Sequence, residues 1–380
     1  MRLLFIIDNL NSGGAQRQLV NLAIGLHRKN HQVEFFVYHP QDFYGPSLSA
    51  LNIPIHRHYK RSRFSPAVFA ALRDVLKTNP YDVMVSFLKT PNFYAEIVKL
   101  LSGPKSPQLV VSERYCESTK GRYFHTRALR QFHRAADYVT VNSHHQRHAL
   151  EDRHAWIRPK IATIYNGVDL KVFHPGPSMP SGNGQLTLLA VASVTERKNG
   201  MRLIQALDIA REKYNILPKV HWIGEHQMHL AERRNTSERW REEIKRLHLE
   251  TQWEWSEPKS DIPQWMRSCD ALIHPSYLEG LPNVVCEAMA SGLPPLVSDT
   301  LDNPLMVEEG ISGFLFDPYS PESIADAMFR FSNLDAAARQ QMGLAARSFA
   351  ERELGLEKYV DQYEKLLLRM IAEHASIPKL

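Results

Sequence analysis

Apolar positions along the chain fall into two patterns. Short apolar runs closed by polar or glycine residues read as buried strands, and apolar residues three and four apart read as helices. In the first half LLFIID (3–8), VEFFVY (33–38), DVMVSFL (82–88), QLVVSE (108–113), ADYVTVNS (136–143) and KIATIYNGV (160–168) are strand-like. Helical stretches run from about Gln16 to Arg28, near 66–78 and near 92–101. Nearly continuous apolar strands alternating with helices predict a parallel sheet covered on both faces. HPGPSMPSGNGQ (174–185) has no apolar periodicity and reads as a linker. The alternation then restarts with LTLLAVAS (186–193), a helix over about 199–214, KVHWIG (219–224) and a charged helix near 229–248. DALIHPS (270–276), the helix VVCEAMAS, PPLVSD (294–299), GFLFDP (313–318) and a helical tail follow. The expectation is α/β: two Rossmann-like domains, residues 1–175 and 176–357, facing each other across a cleft. A C-terminal helix over about 358–380 packs back on the first.

Composition adds limits. At 380 residues, 43% apolar and 23% charged, the chain suits two soluble globular domains. No apolar run approaches the ~18 residues of a membrane span. MRLLFIIDNL ends its apolar stretch at Asp8 and reads as a first strand, not as a signal peptide. Cys116, Cys269 and Cys286 form no CxxC and no even set, which predicts structural thiols in a reducing cytoplasm. The net charge of +5 divides unevenly, with +12 over residues 1–180 and −7 over the rest. HRHYKRSRF (56–64) and KGRYFHTRALRQFHR (120–134) concentrate the positive part. The second reads either as an amphipathic helix lying on an anionic membrane surface or as a solvated helix face over a core stripe.

The densest candidate chemistry is SYLEGLPNVVCEAMASGLP (276–294). It sits between two strands, so its loop leaves the carboxyl end of a parallel strand, where open α/β sheets bind ligands. A helix starting near Asn283 aims its amino end and the amides of Gly280, Leu281 and Asn283 at that place, an anion site. Glu279 precedes the helix and Glu287 lies about one turn inside it. One anion pocket with two carboxylates suits a ligand with a phosphate and hydroxyls, such as a sugar nucleotide. Taken singly, the two glutamates read as a solvated loop charge and a helix-dipole partner. Three further elements favour the ligand reading. Gly13 and Gly14 open the helix after the first strand and allow close backbone approach. Arg197 and Lys198 close the strand VASVTERKNG (191–200), as a diphosphate clamp requires. Asn166 lies in the YNGV turn before the linker. His144 and His148 are four apart on a probable helix, but no HExxH pattern supports a zinc site. The GxGxxG fingerprint of dinucleotide oxidoreductases and any nucleic-acid recognition motif are absent.

GGAQRQLVNLA, YNGVDLKVF, ERKNG, EGLPNVVCEAMASGLPPLVSD and GISGFLF occur in this order over essentially the whole chain. Together they resemble the retaining glycosyltransferases of family 4, which have the GT-B fold. The resemblance implies a transferase moving a sugar from a nucleotide diphosphate sugar, UDP favoured, to a glycan or lipid-linked acceptor in surface-polysaccharide synthesis. It places Glu279 near the donor sugar and its diphosphate, and Glu287 on the ribose hydroxyls. Lys198 matches the family lysine for the diphosphate, while Ser193 stands where the family arginine would be, so Arg197 is the substitute cation. Leu305 occupies the place of a further family glutamate. Where many members have a histidine after the fourth strand, SERY leaves Glu113 and Arg114 as candidates for contacts to sugar or acceptor. The chain has no Asp-x-Asp, so neither a metal nor another cofactor is expected. Location on the inner face of the cytoplasmic membrane is the corresponding expectation. A non-catalytic sugar-nucleotide or polyanion-binding protein of the same fold is the alternative that Ser193 and Leu305 leave open.

Overall fold

The computed structural model of the chain describes residues 1–60, 65–103, 106–114, 129–176, 185–224 and 230–375. Most of the expected linker (177–184), Cys116, and residues 61–64 and 120–128 of the two basic stretches lie outside them. Contacts divide the chain into two compact units, Met1–Gly167 with Leu356–Leu380, and Val168–Gly355. The boundary falls ahead of the linker, in the YNGV turn.

The strands of the first unit are β1 (Arg2–Ile7), β2 (Gln32–Val37), β3 (Ile55–Arg57), β4 (Val83–Phe87), β5 (Gln108–Glu113), β6 (Tyr138–Val141) and β7 (Ile161–Thr163). Its helices before the crossing are α1 (Gly14–Arg28), α2 (Gly45–Ser49), α3 (Pro66–Thr78), α4 (Lys89–Ser102) and α5 (His144–Arg153). The sheet order is β3-β2-β1-β4-β5-β6-β7, and every pairing is parallel. Alternation along β1 shows why both faces must be covered. Leu3, Phe5 and Ile7 enter one core cluster, and Leu4 and Ile6 enter another on the opposite face. On α1, Leu19, Leu22, Ala23 and Leu26 bury one stripe at helical spacing.

The second unit carries β8 (Thr187–Val191), β9 (Lys219–Ile223), β10 (Trp253–Ser256), β11 (Ala271–His274), β12 (Pro295–Ser298) and β13 (Phe314–Phe316). Its helices are α6 (Gly200–Tyr214), α7 (Ala231–Arg246), α8 (Ile262–Ser268), α9 (Asn283–Ala290), α10 (Asn303–Met306), α11 (Pro321–Ser332) and α12 (Ala336–Glu353). The order is β10-β9-β8-β11-β12-β13, again all parallel. Trp222 stacks on Trp253 at 5.6 Å and meets Trp240 edge-on at 5.0 Å under this sheet. A Cβ on Gly200 would stand 2.4 Å from the Trp240 ring, so α6 can start where it does only with glycine.

The chain then returns to the first unit as α13 (Leu356–Ala375). Tyr359, Tyr363, Leu366, Leu367 and Met370 join the core cluster of α1 and β1. A Cβ on Gly167 would lie 2.9 Å from that of Tyr359, so the YNGV turn needs glycine to pass the helix. Among the described residues no helix is long and apolar enough to cross a membrane.

Candidate functional site

In each sheet the strand order reverses once, between β1 and β4 in the first unit and between β8 and β11 in the second. Loops leaving the carboxyl ends of such neighbours run in opposite directions and leave a crevice. After β8 the chain makes a 3-10 turn over Glu196–Lys198 and ends it at Asn199, whose φ of 62° is left-handed. The Asn199 side chain donates to Pro275 O at 3.0 Å and to Pro318 O at 2.7 Å. The first bond ties the loop after β8 to the loop after β11, and the second ties it to the loop after β13. Tyr277 N donates to Arg197 O at 3.3 Å and strengthens the tie.

Two loops held in this way bring opposite charges together. The Lys198 ammonium donates to Glu279 Oε1. Arg197 Nη1 lies 4.0 Å from Glu279 Oε2. Ser276 Oγ stands 2.9 Å from Glu279 Oε1 and 3.0 Å from Arg197 O, one hydrogen between two acceptors. Burial alone would raise the Glu279 carboxyl, but Lys198 outweighs it, helped by Arg197, and holds the group at about 2. His274, the last residue of β11, is 2% exposed. Burial, with Lys198 beside it, pushes its imidazole down to about 3 and keeps it neutral.

Helix α9 follows directly. Pro282 is its N-cap residue, and no side chain caps the amino end. Gly280 and Leu281 are buried in the turn, Asn283 opens the helix, and Glu287 is buried one turn further on. The structure thus unites Arg197, Lys198 and Glu279 and sets Gly280, Leu281, Asn283 and Glu287 on the same loop and helix. A cluster of two cations, an open helix amino end and two carboxylates can hold a phosphate-bearing polyol. Leu305, on α10, is 58% exposed and makes no part of this cluster.

Expectations for the first unit divide. Gly13 is the extended N-cap residue of α1 and Gly14 its first residue, at the end of the loop that follows β1. A Cβ on Gly13 would stand 2.1 Å from Gln16 Oε1, and the Gln16 amide donates to Asp8 Oδ1 at 3.1 Å. Glu113 and Arg114 have internal partners instead of an open position. Glu113 Oε2 accepts from Arg130 at 3.0 Å, and Oε1 faces His133 Nε2 at 3.2 Å. The other His133 nitrogen bonds the buried Glu96 carboxylate. Burial would lower His133, but the two carboxylates reverse this and raise it to about 9. Arg114 donates to Asn166 Oδ1 at 2.6 Å and to Tyr363 Oη at 2.9 Å, with its guanidinium 3.8 Å over the Phe87 ring. Two predicted ligand residues, Arg114 and Asn166, therefore bind one another and fasten the YNGV turn to α13. Gln18 completes the fastening by donating to Gly167 O and accepting from Gly167 N, both at 2.9 Å.

The surface helix expected over 120–134 needs correction in its described part. Gln131–Ala135 form a 3-10 turn, and Arg130 is buried because it neutralises Glu113. In the other basic stretch Arg57 pairs with Asp42 at 2.7 Å and His56 with Glu34 at 2.7 Å.

Sequence reasoning missed His274, Ser276, Glu96, His133 and Gln18. Ser276 lies three residues before Glu279, and His274 is the single polar residue of the strand ALIH, which are the available signals.

Two family models match the chain in succession: Glycosyltransferase Family 4 over residues 12–172 and Glycosyl transferases group 1 over residues 178–349. Spore coat protein SA of Bacillus subtilis (strain 168) is 28% identical over 60% of this chain and 65% of its own. A Campylobacter jejuni alpha-1,4-N-acetyl-D-galactosaminyltransferase acting on a diNAcBac-PP-undecaprenol-linked glycan is 39% identical over 31% of this chain and 33% of its own. The chain thus spans under two thirds of the length of these two relatives. The Escherichia coli UDP-Gal:alpha-D-GlcNAc-diphosphoundecaprenol alpha-1,3-galactosyltransferase is 24% identical over 79% of each chain. Among solved structures, HepE of Anabaena in complex with UDP and glucose has a TM-score of 0.82 at 20% identity, covering 97% of this chain and 99% of that one. Sucrose-phosphate synthase of Thermosynechococcus elongatus has a TM-score of 0.79 at 17% identity over 98% and 100%. These likenesses show the fold. With the two models matched in order, one on each sheet, the chain belongs to the GT-B glycosyltransferases of family 4.

Proposed function

We propose that the protein moves a sugar from a nucleotide diphosphate sugar, a UDP-sugar before others, to a glycan or lipid-linked acceptor with retention of configuration. The observation that carries this reading is the Lys198–Glu279 pair at the β8/β11 switch point, beside Arg197 and the uncapped amino end of α9. The relatives support the choice of donor and acceptor, since the Escherichia coli enzyme is named for UDP-Gal and a diphosphoundecaprenol acceptor. HepE was crystallised with UDP and with UDP-glucose.

In this reading Glu287 accepts from the ribose hydroxyls, and Lys198, Arg197 and the amides of Gly280–Asn283 face the diphosphate. Glu279 stands near the donor sugar, and the Gly13–Gly14 loop gives a ligand close access to the first unit. As the bond from the anomeric carbon to the β-phosphate oxygen breaks, negative charge grows on the leaving nucleoside diphosphate. Cations and amides fixed in advance lower the barrier most where charge develops. The acceptor oxygen bonds the anomeric carbon on the face the diphosphate leaves, and its proton passes to a β-phosphate oxygen. That sequence balances without an enzyme nucleophile.

A thermal-shift panel of UDP- and GDP-sugars identifies the donor, because a ligand of the folded state raises the melting temperature with occupancy. Radiolabelled turnover of that donor then tests the reaction. Binding without turnover on any glycan or lipid-linked acceptor would favour the non-catalytic reading.

A further inference from the structure

His274 is a buried polar side chain beside the charged pair, yet its Nε2 has no hydrogen-bond partner. Glu279 Oε1 lies 3.9 Å from it, beyond hydrogen-bond reach. That same oxygen is held by Lys198 and by Ser276, whose single hydrogen also faces Arg197 O. Glu279 Oε2 is 4.0 Å from Arg197. Glu279 therefore depends mainly on one ammonium, and its side chain is only 14% exposed, too little for water to replace a lost partner.

We propose that His274 is a positioning residue, the reserve donor for Glu279 that closes the 3.9 Å gap whenever the Lys198 ammonium leaves the carboxylate. The trigger in the working cycle, which rests on the donor reading above, is the diphosphate of a nucleotide sugar drawing Lys198 towards itself. Imidazole suits this task better than a second cation. Kept neutral by burial and by Lys198, it offers an N–H to the carboxylate without repelling Lys198 or Arg197 while they reach for the diphosphate. A phenyl ring of similar size in its place would pack as well and donate nothing. The free protein thus keeps Glu279 on Lys198, and the loaded protein keeps the same carboxylate in place on His274 and Ser276.

A double-mutant cycle read by thermal melting needs no ligand, because Lys198→Met removes the ammonium directly. His274→Phe alone leaves the melting temperature unchanged or raises it, since it removes a buried polar atom that has no partner. In the Lys198→Met background the same change lowers it by at least about 5 °C, because it strips the carboxylate of its reserve donor. Equal shifts in the two backgrounds would overturn the proposal. Calorimetric titration with UDP gives the second reading. His274→Phe weakens UDP binding roughly tenfold and His274→Gln regains most of it. Equal affinity in all three proteins would also overturn it. Failure of the wild-type protein to bind UDP, with the cycle still non-additive, would reject the donor reading and uphold the role of His274.

Discussion

Glu287 and Arg130 are both buried and ionisable, and they serve different ends. Glu287 is buried in α9, and in the proposed donor reading it accepts from the ribose hydroxyls. An acceptor that acts alike in ground and transition states contributes to KM and not to kcat. Glu287→Ala is therefore expected to raise KM and weaken binding of free UDP while kcat changes little, and calorimetry with steady-state kinetics checks this. Arg130 belongs to the core of the first unit. Arg130→Met leaves the Glu113 carboxylate with His133 alone, and loss of one member of a buried pair costs about 3–5 kcal/mol. The double variant Arg130→Met, Glu113→Gln recovers part of that loss, measured by urea unfolding. Glu279, Glu287 and Lys198 stood out in the sequence because a strand, a glycine turn and a helix fix where neighbours point. Glu113 and Arg114 were identifiable as strand-end residues, but not their partners. His133 and Tyr363 lie 20 and 249 residues away in sequence, and no local pattern encodes such contacts.

Strands and helices divide in the same manner. The apolar strands β1, β4, β5 and β12 were evident from their runs, since each is buried on both faces. β3 and β10 were not recognised. Both are sheet edges, and IHR and WEWS carry polar residues that an edge strand can expose. In the structure Tyr359, Tyr363, Leu366, Leu367 and Met370 of α13 enter the core of the first unit at helical spacing. The joint between β5, α4 and the 3-10 turn at Gln131–Ala135 carries its own pH dependence. His133, raised to about 9 from 6.5, gives stability that is complete below about 6.5 and is lost as pH rises through 9. Glu96, pushed up by burial, acts in the same direction from a lower pH. Glu113 is pushed up by burial but pulled to about 2 by His133 and Arg130, so its contribution is present above 4.5 and lost as pH falls through 2. The melting temperature should therefore fall between pH 6.5 and 9. His133→Gln should flatten that arm, and an unchanged slope in the variant would contradict the assignment.

Across the protein, positive charge gathers in the first 180 residues and negative charge in the rest. The uneven charge was plain from counting, but how much of it remains unpaired was not, because Arg57 and Arg130 have carboxylate partners from distant segments. An attraction to an anionic leaflet would rest on the remaining cations, each worth on the order of 1 kcal/mol near its surface. Co-sedimentation with anionic but not neutral vesicles, abolished in 1 M salt and weakened by Arg127→Glu with Arg134→Glu, is the expected result. Arg134 is exposed, with its guanidinium 5.1 Å from the Trp156 ring centre, so replacing it leaves the buried pair intact. In the proposed reading Lys198, Arg197 and the α9 amides supply the charge that a divalent ion would, so activity is expected to persist in EDTA. Loss of turnover on chelation, restored by Mg²⁺ or Mn²⁺, would contradict this.

Lys198 is the residue on which the proposed chemistry turns. The most direct measurement is turnover of the identified radiolabelled UDP-sugar by the wild-type protein and by Lys198→Ala, with UDP affinity determined on both. The account predicts a fall in kcat of ~10²–10³, the usual effect of removing one donor to a developing charge, with a smaller change in UDP affinity. Wild-type kcat in the variant would contradict it.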